Sequence, residues 1–290
     1  MLENTQAKVA IDTRTTMGTV ALTAQNLERS LAFYQNTLGL KIHHQTDDKA
    51  HLGAGNDDLL ILYENLSAKR YQGVTGLYHF ALLVPSRLEL AKALYHFAKT
   101  QTPLQGLSDH YVSEAIYLAD PDGNGIEIYR DLPRDQWEFS DEQLSMGTAA
   151  MDVDAVMGTL DDPSPQFAGL HADTVMGHVH LHVDYAEKAE AFYRDIIGFD
   201  VMMRFNNVAS FMSAGGYHHH LGANTWAGVG APPPPDDAVG LRWYEIVLPD
   251  DNALQATLTR IREAQIPIEE RDEGYFIHDS AQNGVMLVVK

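Results

Sequence analysis

The feature that most constrains the fold of this 290-residue chain is that it repeats itself in two interleaved patterns. Residues 17–63 open MGTVALTAQNLERSLAFYQNTLGLKI, and residues 174–226 open TVMGHVHLHVDYAEKAEAFYRDIIGFDV. Both carry Met-Gly, a short apolar run, a helix-like segment ending Ala-Phe-Tyr, and then Leu-Gly-Leu or Ile-Gly-Phe. Residues 76–130 and 240–290 match each other in the same way, starting from GLYHFALLVPS and GLRWYEIVLPD. They continue through LELAKALYHFAKT and NALQATLTRIREAQ and end DPDGNGIEIYR and DSAQNGVMLVVK. Each of the four units reads as a strand, an amphipathic helix and about three strands divided by turn residues, a βαβββ pattern. Gly39 and Gly198 read as helix C-caps that release the chain into the next strand. DPDGNG at 120–125 has the alternate acids of a calcium loop but lacks its bidentate glutamate, so it reads as a tight hairpin turn. A connector, 131–172, holds Trp137 and the Pro163-Ser164-Pro165 turn, and Ala231–Asp236 is a stiff polyproline-like spacer.

Histidine placement is the second feature. In Met176–Val183, three of the fourteen histidines fall at alternate positions, so on a strand His178, His180 and His182 share one face while Val179, Leu181 and Val183 take the other. Such a row either holds a metal or hydrogen-bonds within a half-polar sheet. Read as a strand, Tyr217-His-His-His220 would place His218 and His220 on one face, with His219 pointing away. The chain has no cysteine, which removes disulfides, thiolate nucleophiles and cysteine-based metal sites. Its formal charge of −20 repels phosphate backbones and anionic lipid, so neither nucleic acid nor a membrane surface is an expected partner. MLENTQAKVAIDTRTT lacks the apolar core of a signal peptide, and the expected location is cytoplasmic. Nothing in the composition argues against a homo-oligomer. No glycine-rich phosphate cradle, nucleophile elbow or HExxH helix is present.

A βαβββ unit repeated four times, with AFY…LGL in the odd copies and DPDGNGIEIY in an even one, resembles the vicinal oxygen chelate superfamily. That group includes glyoxalase I, bleomycin-resistance proteins and extradiol ring-cleaving dioxygenases. GLYHFALLVPS, SDHYVSEAIYLADPDGNGIEIYRD, PRDQWEF, GHVHLHV and SAGGYHHHLGANTW are similar to the catechol 2,3-dioxygenase branch with four modules in one chain. The resemblance spans nearly the whole sequence. It implies an α+β fold in which four βαβββ modules pair into two cup-shaped mixed sheets with helices outside. Along the chain, modules 1 and 2 lie in 1–130, the connector in 131–172, and modules 3 and 4 in 173–290.

The resemblance also implies where a metal would sit, because the first and last strand of each module can each offer one inward-facing ligand. The aligned first-strand residues are Thr19, His79, His178 and Trp243. The last-strand residues are about Ile61, Glu127, one of His218–His220, and Met286. Modules 1 and 4 present no suitable donor there. The implied ligands are therefore His79, Glu127 and His178, with His180 competing with His178 on the same face. Two imidazoles and a carboxylate suit iron(II), and manganese(II) would accept the same set. The better-known two-domain extradiol enzymes draw their ligands from modules 3 and 4, so this set requires modules 2 and 3 to share one cup. The expected substrates are a small catechol-type aromatic diol and O2. His218 or His220 is either a fourth ligand, which would favour glyoxalase-like isomerase or lyase chemistry, or an acid–base group. His110 is a second acid–base candidate, and Tyr217, Asn224 and Trp226 are candidates for substrate walls or supporting hydrogen bonds. A metal-free binding protein of the bleomycin-resistance type is the third expectation.

Overall fold

In the computed structural model, which describes residues 9–140 and 143–290, each unit folds as its pattern predicts. The N-terminal residues 1–8, on which the reading of a missing signal peptide partly rests, lie outside the described residues. Module 1 runs β1 (Thr16–Ala24), α1 (Leu27–Asn36), β2 (Lys41–Gln45), β3 (Lys49–Gly53) and β4 (Leu60–Glu64). Module 2 runs β5 (Gly76–Leu83), α2 (Arg87–Thr100), β6 (Gly106–Asp109), β7 (Ser113–Ala119) and β8 (Gly125–Asp131). The connector adds β9 (Phe139–Ser140), β10 (Gln143–Leu144), β11 (Ala149–Ala150) and a short helix α3 (Val153–Met157). Module 3 is β12 (Val175–His182), α4 (Ala186–Ala191) continued by a wider π-turn over Phe192–Ile197, β13 (Asp200–Phe205), β14 (Ala209–Ser213) and β15 (Leu221–Asn224). Module 4 is β16 (Gly240–Leu248), α5 (Asp251–Glu263), β17 (Glu269–Arg271), β18 (Gly274–His278) and β19 (Gly284–Val289). Asn26, Ser86 and Asp250 cap α1, α2 and α5 by accepting from backbone N–H groups of the first turn. Among the described residues no helix is long and apolar enough to cross a membrane.

Strand pairing joins the modules in a different order from the chain. The nine-stranded sheet runs β11-β6-β7-β8-β5-β12-β15-β14-β13, so it combines modules 2 and 3 with one connector strand. The eight-stranded sheet runs β17-β18-β19-β16-β1-β4-β3-β2 and combines modules 4 and 1. Each sheet is closed at its middle by antiparallel pairing of two first strands, β5 with β12 and β1 with β16. The grouping 1–130 and 173–290 is thus a division along the chain, and hydrogen bonding between strands runs across it.

Side-chain alternation sorts the two faces of these strands. Val179, Leu181 and Val183 join Phe80, Leu82, Ile126 and Ile128 in a continuous apolar core shared with the helices, while His178, His180, His79 and Glu127 lie on the opposite, concave face. In the other cup the corresponding space is filled by Ala21, Ile61, Trp243, Phe276, Met286 and Val288, and among the described residues no cluster of three metal donors lies there.

The recurrent Ala-Phe-Tyr and Asp-x-x-x-Asn-Gly strings meet each other. Tyr34 Oη donates to Asp120 Oδ2 at 2.9 Å, tying α1 of module 1 to the β7–β8 turn of module 2. Tyr193 Oη donates to Asp279 Oδ2 at 2.8 Å, tying module 3 to the β18–β19 turn of module 4. Each aspartate also holds its own turn, Asp120 by accepting from the backbone N–H groups of Asp122 and Asn124, and Asp279 from those of Ala281 and Asn283. Sheets therefore link modules 2 with 3 and 4 with 1, and the tyrosine clamps link 1 with 2 and 3 with 4. Both tyrosines are fully buried. Tyr193→Phe should lower unfolding free energy by about 1–3 kcal/mol in urea titrations, because Asp279 loses a donor and the Tyr244 hydroxyl loses its partner.

Candidate metal centre

Three adjacent strands build the centre. β5 lies between β8, which runs parallel to it with Ala81 opposite Glu127, and β12, which runs antiparallel with Ala81 opposite His178. His79 sits two residues before Ala81 on the same face. His79, Glu127 and His178 consequently converge from the three strands. Oε2 of Glu127 lies 3.1 Å from His79 Nε2 and 3.1 Å from His178 Nε2, and the two Nε2 atoms are 3.3 Å apart. Nitrogen and oxygen donors bound at about 2.1 Å and at right angles around one divalent ion are separated by roughly 3.0 Å. The observed spacing therefore fits three ligands on one face of a single ion.

The electrostatics fit as well. All three side chains are buried. The other buried glutamates each meet a cation: Glu114 has Arg87 and Arg130, Glu190 has Arg194 and Arg204, and Glu245 has Lys290. Glu127 faces imidazoles instead. Burial by itself would raise its carboxyl, but His178 and His79, which also hydrogen-bond it, hold it well below the usual range. Burial pushes the pKa of both histidines down despite the pull of Glu127, toward the neutral form that metal ligation requires. A buried carboxylate without a cation is costly, and a divalent ion held there would supply the missing charge. Among the described residues this is the one cluster of three or more such donors close enough to hold a metal. His178, rather than His180, belongs to it. Nε2 of His180 is buried without a partner, its ring stands edge-on to His79 at 5.0 Å, and burial drives its pKa well down.

The structure corrects the reading of Tyr217–His220. This segment is irregular, and β15 begins only at Leu221, so strand alternation does not apply. His219 lines the cavity above the cluster, its ring 4.1 Å from that of His178, whereas Tyr217, His218 and His220 do not line it. His218 Nε2 lies 2.9 Å from Asp131 Oδ1, and His218 Nδ1 lies 2.8 Å from His219 Nδ1. In the tautomer in which His218 donates from Nε2 to the Asp131 carboxyl, its Nδ1 accepts from His219. His219 then donates from Nδ1 and keeps Nε2 as its lone-pair nitrogen. Tyr217 Oη bonds Asp131 and the Tyr129 hydroxyl, and His220 Nδ1 accepts from the Ala214 N–H. Burial lowers the pKa of His220 to about 3, so it stays neutral.

His110 lines the cavity. Its Nδ1 is 2.7 Å from the Gly147 carbonyl and so carries a proton, and its Nε2 lies 2.7 Å from Tyr117 Oη, a hydroxyl that also hydrogen-bonds Glu127. Tyr117 is directly opposite Glu127 in the β7–β8 hairpin, and burial together with that carboxylate raises its phenol pKa well above the ordinary value. Sequence reasoning missed Tyr117, although a tight turn centred on Asp122 sets this register and would have pointed to it. It also missed the connector, whose Met146, Gly147 and Thr148 form one wall; no local pattern announces them. Trp226 lines the cavity, while Asn224 accepts from the Trp226 N–H and lies 2.9 Å from His182 Nδ1.

With this geometry in view, comparison with known proteins places the chain. Residues 16–128 match the model of the Glyoxalase/Bleomycin resistance protein/Dioxygenase superfamily. A catechol-2,3-dioxygenase of Bacillus subtilis (strain 168) is 43% identical over 280 residues, which is 95% of this chain and 97% of that protein. The chain belongs to the glyoxalase/bleomycin resistance protein/dioxygenase superfamily. Solved structures share the fold at low identity. One from Bacillus subtilis subsp. subtilis str. 168 has a TM-score of 0.63 at 13% identity, covering 97% of this chain and 86% of that one. Glyoxalase I from Zea mays has a TM-score of 0.56 at 15% identity, covering 94% and 92%.

If the three donors form the metal site, His79→Ala and Glu127→Ala should each reduce iron from about one ion per folded chain to under a tenth, measured by elemental analysis after anaerobic loading, because a two-donor remnant binds far more weakly. Circular dichroism checks that both variants are folded. Full iron retention in both would exclude this cluster.

Proposed function

We propose that this chain is an extradiol ring-cleaving dioxygenase that uses iron(II), with manganese(II) as an alternative metal, to open a catechol-type aromatic diol with O2. The observation that carries the reading is the buried two-histidine, one-glutamate set, lacking a protein cation and lying at the floor of a cavity. The 43% identical catechol-2,3-dioxygenase of Bacillus subtilis supports it. When bound, the metal supplies open coordination positions for both reactants and a path for electrons between them.

The remaining roles belong to the protein. His79, His178 and Glu127 hold the metal, and the single negative charge of Glu127 offsets part of its charge. His219, neutral and presenting Nε2, takes a proton from a diol hydroxyl and returns it as the ring opens. Asp131 acts through His218 to keep His219 in that tautomer and orientation. Tyr117, held by His110 and in turn by Gly147, presents its hydroxyl beside Glu127 to orient the diol. The apolar wall excludes bulk water from the reacting groups. A glyoxalase-like reading needs a fourth protein donor, and the cluster of described residues contains three.

The test is anaerobic loading with iron(II), followed by catechol and air, watching for the yellow ring-opened semialdehyde. His219→Ala should bind iron as the parent does but lose roughly 10²–10⁴-fold in kcat, the usual contribution of a positioned acid–base group. Absence of product from any catechol, with iron demonstrably bound, would overturn the dioxygenase reading.

A further inference from the structure

The cavity above the cluster measures about 630 Å³. A benzene ring fits in about 150 Å³ of apolar space, so an unsubstituted diol would leave most of the cavity for water. Its depth can be followed through exposure. His79 and Glu127 are 6% and 2% exposed and form the floor, whereas Phe205 and Trp226 are 54% and 50% exposed and form the rim. Between them runs a trail of rings: Phe211 stands 5.1 Å from His219, and Trp226 stands 5.3 Å from His180 and 5.0 Å from Tyr78. Met203, Phe205, Phe211 and Trp226, all from module 3 and the turn after it, form one side. No lysine or arginine is among the described lining residues, and the one acid there is Glu127.

We propose that the site selects catechols carrying an uncharged, extended apolar substituent, alkyl or aryl, over catechol itself and over ring-carboxylated diols. The inference rests on the ring-cleavage reading for the diol and on the cavity for the substituent. With the diol on the floor beside His79 and Glu127, the substituent runs outward along Phe211 toward Phe205 and Trp226. Each methylene taken out of water there favours binding by roughly fourfold. Aromatic faces accept an alkyl chain or a second ring equally, since neither needs a hydrogen bond. A carboxylate in the same place would lose its hydration with no cation to replace it. The net charge of −20 adds repulsion on approach.

Anaerobic titrations of the chain, with and without iron(II), test this by following tryptophan fluorescence with catechol, 4-butylcatechol and 3,4-dihydroxybenzoate. The expected dissociation constant for 4-butylcatechol is at least about tenfold below that for catechol, three buried methylenes being enough for this, with 3,4-dihydroxybenzoate the weakest. After admission of air, kcat/KM should follow the same order. Trp226→Ala and Phe205→Ala shorten the apolar side at half-exposed positions, where truncation leaves the core intact, and each should shrink the butyl-to-catechol ratio several-fold. Calorimetry in place of fluorescence reads binding by the Trp226 variant. Equal affinity for catechol and 4-butylcatechol, or an unchanged ratio in both folded variants, would overturn the proposal. Retention of the binding order with no turnover of any diol would leave the substituent site standing and overturn the ring-cleavage reading alone.

Discussion

The antiparallel pairing of β5 with β12 carries the candidate centre, because it is where two modules distant in the chain become neighbours. His79 stands on one side of that seam, His178 on the other, and Glu127 on the next strand out. A slip of one residue would turn His178 into the apolar core and Val179 into the cup, so the burial of Val179, Leu181, Phe80 and Leu82 on the other face also fixes which side chains face the cup. The register shifts between Met176 and His178, at Gly177. A Cβ there would lie 1.8 Å from the Tyr129 hydroxyl, so the residue before His178 has to be glycine for Tyr129 to pack beside it.

The seam is held from outside by the ring of modules. Two tyrosine–aspartate clamps join modules that the sheets leave unpaired, and each clamp closes on the aspartate that organises a hairpin turn. In module 2 that turn sets the β7–β8 register, which places Tyr117 across from Glu127. The contact between α1 and the β7–β8 turn is thus coupled to the geometry of the centre in another module. The cup of modules 4 and 1 has the same frame but is filled with Trp243, Phe276 and Met286, so a common scaffold serves one open cup and one closed one.

Much of this was legible from residues. The repeats located the strands and helices, alternation put His178 opposite Val179, and alignment of NGIEIY with NGVMLVV separated Glu127 from Met286. His219 was not legible, because the period-two argument holds only for an extended, paired backbone, and Tyr217–His220 is neither. The Asp131–His218–His219 chain spans two modules and therefore has no local signature. The same is true of the Gly147 carbonyl that fixes His110, since it comes from a connector without periodicity.

By itself, the sequence determined what local physics can encode: four βαβββ units, their inward and outward faces, and the turns at Asp120 and Asp279; the family resemblance added that the aligned positions carry His or Glu in modules 2 and 3. Tertiary structure decided which modules meet, which of three consecutive histidines enters the cup, and how much empty apolar space lies above the donors. These depend on the packing of segments far apart in the chain, where burial and backbone irregularity override period and propensity.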